Sequence, residues 1–170
     1  MSLLDILIVP HPRLREKCAP VSLFDAEVKR RAEDMLETMY DAPGVGLAAP
    51  QVGILQRMLV VDVAEEGAAR QPHCLINPEI IWSSEETSVY NEGCLSLPDQ
   101  FAEVRRPAEV RVRYQTPSGK DEEMHATGLL STCVQHEMDH LNGVLFIDYL
   151  SRMKRDMILR KLQKLMRAQG

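Results

Sequence analysis

The sequence predicts a single α+β domain in which antiparallel strands pack around a central helix, with further helices towards the N- and C-terminal ends. Three observations carry this expectation. Apolar residues recur at helical spacing in three segments, and short β-rich runs separated by turn signals lie between the first two. A chain of 170 residues with 45% hydrophobic content also suits one core better than two.

Taken in order, Val28, Ala32, Met35, Leu36 and Met39 repeat at helical spacing from Asp25 to about Tyr40, with Ser22 and Asp25 as N-cap residues. That helix stops at Asp41-Ala42-Pro43-Gly44, and a glycine-rich loop runs on to Gly53. Met58 to Val63 reads as a buried strand, Cys74 to Trp82 as another, and Val104 to Tyr114 as one half-exposed strand of alternating apolar and charged residues. Pro117-Ser118-Gly119-Lys120 supplies a turn between paired strands. Leu129, Leu130, Cys133, Val134, Met138 and Leu141 mark the second helix, which Asn142-Gly143 closes. In the third, about Ser151 to Arg167, Met153, Met157, Ile158, Leu162, Leu165 and Met166 form the expected packing stripe.

Charge is distributed unevenly. The net charge of −5 argues against a general DNA or RNA binder, yet residues 151–170 hold seven Lys/Arg against Asp156 alone, leaving about −11 for the rest. The N-terminal apolar run has no basic start and is interrupted at Pro10, so no export signal is expected. No stretch approaches the roughly 20 apolar residues of a membrane span, and a cytoplasmic protein is expected. Cys18, Cys74, Cys94 and Cys133 are irregularly spaced, which favours thiols or a metal ligand over a disulfide framework.

Chemistry concentrates in His136-Glu137-Met138-Asp139-His140. Positions i and i+4 share a helix face, so His136 and His140 can present two imidazoles to one ion with Glu137 beside them as general base. A catalytic site of this kind needs a third protein ligand. The zinc-protease continuation HExxHxxGxxH fails because Phe146 stands at the third histidine position, and no Glu follows Glu137. Asp148, Asp156, His11, His73 and His125 stay open without a supporting motif. Cys94, in Glu92-Gly93-Cys94-Leu95-Ser96, is the favoured candidate: the glycine admits close backbone approach and a thiolate suits a borderline divalent metal. Taken singly, each feature also fits an ordinary packed core.

Gly44-Val45-Gly46-Leu47-Ala48-Ala49 matches the GxGxxA dinucleotide fingerprint only formally. A helix precedes it where a strand is needed, and Pro50 stands where the next helix should propagate. A tight turn packing small residues, or a loop in which Gly46 pairs with an extended peptide and Gln51 donates to an oxyanion, fits better.

Together, Gly44-Val45-Gly46-Leu47-Ala48-Ala49-Pro50-Gln51, Glu92-Gly93-Cys94-Leu95-Ser96 and Gln135-His136-Glu137-Met138-Asp139-His140 resemble, in order, the signature motifs of the peptide deformylases. The resemblance covers most of the chain and implies a hydrolase that removes the N-formyl group from the initiator methionine of nascent polypeptides. It implies Cys94, His136 and His140 as metal ligands, Glu137 as acid/base, and Gln51 with the backbone N–H of Leu95 as oxyanion donors. It also implies Fe(II) as the physiological ion with Zn, Ni or Co as substitutes, whereas the residues alone suggest zinc. A metal-bound water of lowered pKa would attack the formyl carbon and release formate.

Val45, Gly46, Leu129 and Cys133 are candidates for the methionine pocket, with ordinary core as the alternative. Family members often carry an arginine shortly after the cysteine motif; here Phe101 stands near that position, with Arg105 and Arg106 further on. The basic helix, residues 151–170, is expected either to be a solvated face or to dock on ribosomal RNA. An HExxH metallopeptidase and a catalytically silent metal- or ribosome-binding homologue are the rival readings.

Overall fold

The computed structural model describes residues 2–169 and has the element order α1 (Ala26–Asp41), β1 (Gly46–Ala48), β2 (Met58–Val61), β3 (His73–Ser83), β4 (Thr87–Cys94), β5 (Leu97–Pro107), β6 (Val110–Gln115), β7 (Asp121–Ala126), α2 (Gly128–His140) and α3 (Arg152–Gln169). Short 3-10 turns occur at Pro12–Arg15, Ala49–Val52 and Phe146–Tyr149. Five strands form an antiparallel sheet in the order β1-β2-β3-β6-β7, and β4 and β5 pair as a separate ribbon. Among the described residues, no helix is long and apolar enough to cross a membrane.

Both faces of the five-stranded sheet are covered near β2, which explains why its four residues are all buried rather than alternating. On one face α1 packs Val28, Ala32, Met35 and Met39 against Leu47, Met58, Val60 and Ile76. On the other, Cys133, Val134 and Met138 of α2 meet Leu59, Val61, Leu75, Val112 and Met124. Met35 and Met39 are fully buried, and truncating either to Ala should cost about 2–5 kcal/mol. Asp25 starts α1 by accepting from the N–H groups of Glu27 and Val28; Ser22 takes no part in that cap.

The expected segment Val104–Tyr114 is two strands. β5 ends at Pro107, whose ring cannot donate to a ladder, and β6 begins at Val110 in the other sheet. The alternation persists across the break because Val104 and Arg106 point inward in one sheet while Val110, Val112 and Tyr114 do so in the next. The glycine-rich loop contains β1, paired with β2, and Gly143 closes the HExxH helix in the left-handed region at φ +73°.

A third apolar cluster joins α3 to β5 and the N-terminal segment through Ile158, Leu162, Leu97, Val104, Phe146 and Val9. The expected α3 stripe is only partly right. Met153 is 74% exposed and Met157 47%, so packing is confined to the residues that follow them. Helical spacing gives the period of a stripe, not how far along the helix it meets a partner.

Candidate active site

Three segments converge beside α2. His136 and His140 stand one turn apart, and both are buried. Cys94 ends β4, where the β4–β5 register slips after Gly93 and pairs Cys94 with Leu97 across the tight turn Leu95–Ser96. Gly93 has to be small there because the Phe101 ring occupies the space a Cβ would need. The ligand-type atoms of Cys94, His136 and His140 all lie within 4.8 Å of one another, with Cys94 Sγ 3.4 Å from His140 Nε2.

One sulfur and two imidazoles fit a borderline divalent transition metal, and three such donors leave a further position open. None of His11, His73, His125, Asp148 or Asp156 joins the cluster. His125 pairs with Glu109 at 2.8 Å and Asp148 with Arg15 at 2.6 Å.

Glu92 orients the first histidine. Its Oε1 lies 2.9 Å from His136 Nδ1, and a carboxylate can only accept, so Nδ1 carries the proton and Nε2 faces Cys94 and His140. Arg106 holds Glu92 in turn through Nε–Oε2 at 2.7 Å and Nη2–Oε1 at 2.9 Å, and its Nη1 reaches Asp139 at 2.8 Å. Burial opposes ionisation of Glu92, but the hydrogen bonds from His136 and Arg106 outweigh it and hold the carboxyl below its ordinary range. Arg106 is raised to well above its ordinary value by the same contacts, against the pull of its burial.

Glu137 is 5% exposed and its Oε1 has no hydrogen-bond partner. Burial pushes its pKa up to about 7; the neighbouring His136 opposes that rise, and Glu92 adds to it. A carboxyl poised near neutrality can take up and return a proton at working pH. Gly46 lets the backbone approach it: a Cβ there would stand 2.5 Å from Glu137 Oε2 and 2.9 Å from Cys133 Sγ. The glycine signature therefore makes room at a carboxylate, with a helix before it and a strand at it, which is the reverse of a dinucleotide site.

Gln51 is 1% exposed and fixed at both ends. Its Oε1 accepts from the Ala48 N–H at 2.9 Å, and its Nε2 donates to Ser96 Oγ at 3.1 Å and lies 3.4 Å from Cys94 Sγ. Gln51, Leu95, Cys94, His136 and Glu137 line one cleft of about 670 Å³. Val45, Leu129 and Cys133 line a smaller cavity of about 110 Å³ that shares His136 and Glu137 with it. Val45 and Leu129 remain 47% and 43% exposed, as rim residues rather than core.

Of Phe101, Arg105 and Arg106, Phe101 alone lines the cleft. Arg105 is exposed and hydrogen-bonds Thr87 Oγ1 at 3.0 Å, and Arg106 is buried beneath α2. The parts played by Arg106, Glu92, Asp139 and Tyr149 were not foreseen. A pleat signal was nonetheless present, since Arg106 shares the inward phase of Val104 in β5.

The family model for polypeptide deformylase matches residues 3–156. The peptide deformylase of Rhizobium meliloti (strain 1021) is 55% identical over 170 residues, covering 100% of this chain and 98% of that protein. A crystal structure of peptide deformylase from Ehrlichia chaffeensis superposes with a TM-score of 0.94 at 40% identity, covering 99% of each chain. Another from the same organism, in complex with actinonin, gives 0.92 at 42% identity over 96% of this chain and 98% of that one. The matches run through the strands, the turn and the helix that assemble the cleft, and the chain belongs to the polypeptide deformylase family.

Proposed function

We propose that residues 1–170 act as one catalytic unit that removes the N-formyl group from the initiator methionine of nascent polypeptides. The observation that carries this is the juxtaposition of Cys94, His136 and His140 within 4.8 Å, beside a buried Glu137 whose Oε1 is unpartnered. Cys94 Sγ and the Nε2 atoms of His136 and His140 would hold the ion, with Fe(II) as the physiological metal and Zn, Ni or Co as substitutes. When bound, the ion supplies Lewis-acid polarisation and lowers the pKa of water towards neutrality.

The remaining chemistry belongs to the chain. Glu137 takes a proton from the water whose oxygen bonds to the formyl carbon, and returns it to the amine nitrogen as the C–N bond breaks, so that formate and a free N-terminus result. Gln51 Nε2, already aimed at the cleft, and the N–H of Leu95 stabilise negative charge on the formyl oxygen. Val45, Leu129 and Cys133, which line the smaller cavity, and Gly46, which lines the adjoining cleft, receive the methionine side chain, for which apolar side chains suit a thioether better than a charged group. Glu92 keeps His136 in the tautomer that binding requires.

The setting proposed is the cytoplasm, where four free cysteines stay reduced. The basic α3 is read as docking on ribosomal RNA, supported by its seven Lys/Arg. The test of the catalytic reading is formate release from formyl-Met-Ala-Ser, with metal content measured in wild type and Glu137→Ala. Metal retained and activity lost in the variant is the expected result. Activity that survives the substitution would overturn the mechanism.

A further inference from the structure

The catalytic cleft does not end at Phe101. Phe101 is 61% exposed, its ring lies against Gly93, and it lines both the cleft and a second depression. That depression, about 400 Å³, is floored by Ala102, Met157 and Ile158 and edged by Lys154 and Lys161 of α3. Phe101 is thus common to the cleft that holds Glu137 and to this depression.

The two lysines share one edge of α3, since a spacing of seven residues is two helical turns. Both are exposed, and neither ammonium makes an ion pair among the described residues. Glu103 is the acidic side chain in the depression, so the local balance is positive while the chain as a whole carries −5. Met157, 47% exposed between them, fails to pack against the core although it lies in the helix's apolar register, which leaves it available to a ligand. Arg160 and Arg167 stand on the opposite edge, lining a different groove with Val9 and Pro10.

We propose that Phe101, Met157, Lys154 and Lys161 form a track for the substrate residues that follow the methionine, and that this track favours peptides with acidic side chains beyond the second residue. The inference rests on the deformylase reading of the cleft. It deepens that reading by assigning a downstream specificity to the chain. Continuity of the two depressions through one side chain identifies the occupant as the same peptide, and two unpaired ammonium groups identify the charge it prefers.

The test compares kcat/KM for formyl-Met-Ala-Ser extended by Glu-Glu-Glu or by Lys-Lys-Lys, using the whole protein at low and high salt. About a 3–10-fold preference for the acidic extension is expected at low salt, carried by KM and collapsing at high salt. In the Lys154→Glu/Lys161→Glu double variant the ratio should invert, and Phe101→Ala should lower kcat/KM for both extended peptides. Because the readout is a ratio within one enzyme preparation, partial unfolding of a variant does not mimic it. A wild-type ratio near one, or a preference that persists in the double variant, overturns the track. Failure of wild type to release formate from formyl-Met-Ala-Ser itself would instead remove the reading on which the track rests.

Discussion

Arg106 and Glu92 form a two-pronged ion pair at 2.7 and 2.9 Å, with both side chains 4% exposed. Removing two charges from water is costly, and a pair this deep persists only where its remaining hydrogen-bonding capacity is also used. It is used here. Glu92 Oε1 accepts from His136, and Asp139 accepts from Arg106 Nη1 and from Tyr149 Oη at 2.7 Å. Tyr149 also lies under the guanidinium, 4.8 Å from ring centre to Cζ. The orientation of a proposed metal ligand is thus fixed by β4, β5 and the turn before α3 together.

Glu92→Gln should therefore weaken metal retention without abolishing the fold. The amide can present its NH2 to His136 Nδ1, which then loses its reason to keep the proton there. Loss of such an outer partner typically costs about 10–100-fold in metal affinity. Competition with a chelator, followed by metal analysis, measures it; unchanged retention would show that His136 needs no such support.

Gln51→Glu and Gln51→Ala separate catalysis from packing. Both remove the amide donor at Nε2, so both should lower kcat about 10²–10³-fold with KM little changed. Only the alanine leaves the buried Ala48 N–H without an acceptor, at about 1–3 kcal/mol. Thermal melts should place Gln51→Ala clearly below wild type and Gln51→Glu closer to it.

The helices and the candidate ligand pair on α2 were legible because their signals are local: caps, a 3.6-residue period, and His136 and His140 one turn apart. Cys94 was the favoured third candidate while Asp148, Asp156, His11, His73 and His125 stayed open, and it is the fold that brings its sulfur beside the two histidines. The β4–β5 ribbon was not legible, since β4 is mostly polar and β5 runs into β6 with no change of phase, only Pro107 marking the break. The place of Arg106 was not legible for a related reason. An arginine in an exposed-looking strand is ordinarily solvated, and only the distant partners Glu92 and Asp139 make its burial tolerable.

Acid should expose a link between the N-terminal turn and the segment before α3. Burial raises the Asp148 carboxyl, but Arg15, the Leu145 N–H and Arg155 together hold it below its ordinary 3.8. A depressed carboxylate contributes stability above its unfolded value, and that contribution disappears as pH falls through the folded value. Wild type should therefore be more stable than Asp148→Asn at neutral pH, with the gap closing below about pH 4. Melting curves of the two proteins across pH 2.5–7 check this; a gap that widens towards acid would have the wrong sign.

Ribosome association should depend on the outer edge of α3. Deleting the helix is a poor test because Ile158 and Leu162 are buried in the third core cluster, and their removal would expose it. Reversing Arg160, Lys164 and Arg167 to Glu leaves those two residues in place. Sedimentation with ribosomes should then fall by about tenfold or more at low salt, while wild-type binding itself weakens as salt rises. Salt-insensitive binding, or equal binding by the variant, would return α3 to being a solvated packing helix.

Gly46→Ala tests whether the glycine signature serves the carboxylate. The new methyl carbon would sit 2.5 Å from Glu137 Oε2 and 2.9 Å from Cys133 Sγ, both closer than contact allows. The backbone there is strand, not left-handed, so the substitution strains no dihedral. What must give is the carboxylate, whose far end can rotate, or Cys133, which is buried against the core. The carboxylate moves more cheaply. Turnover on formyl-Met-Ala-Ser should drop at least tenfold while metal content and the melting temperature stay near wild type, because neither side chain the methyl crowds, Glu137 or Cys133, is a proposed metal ligand. A variant that melts early but turns over normally would show that the glycine serves packing alone.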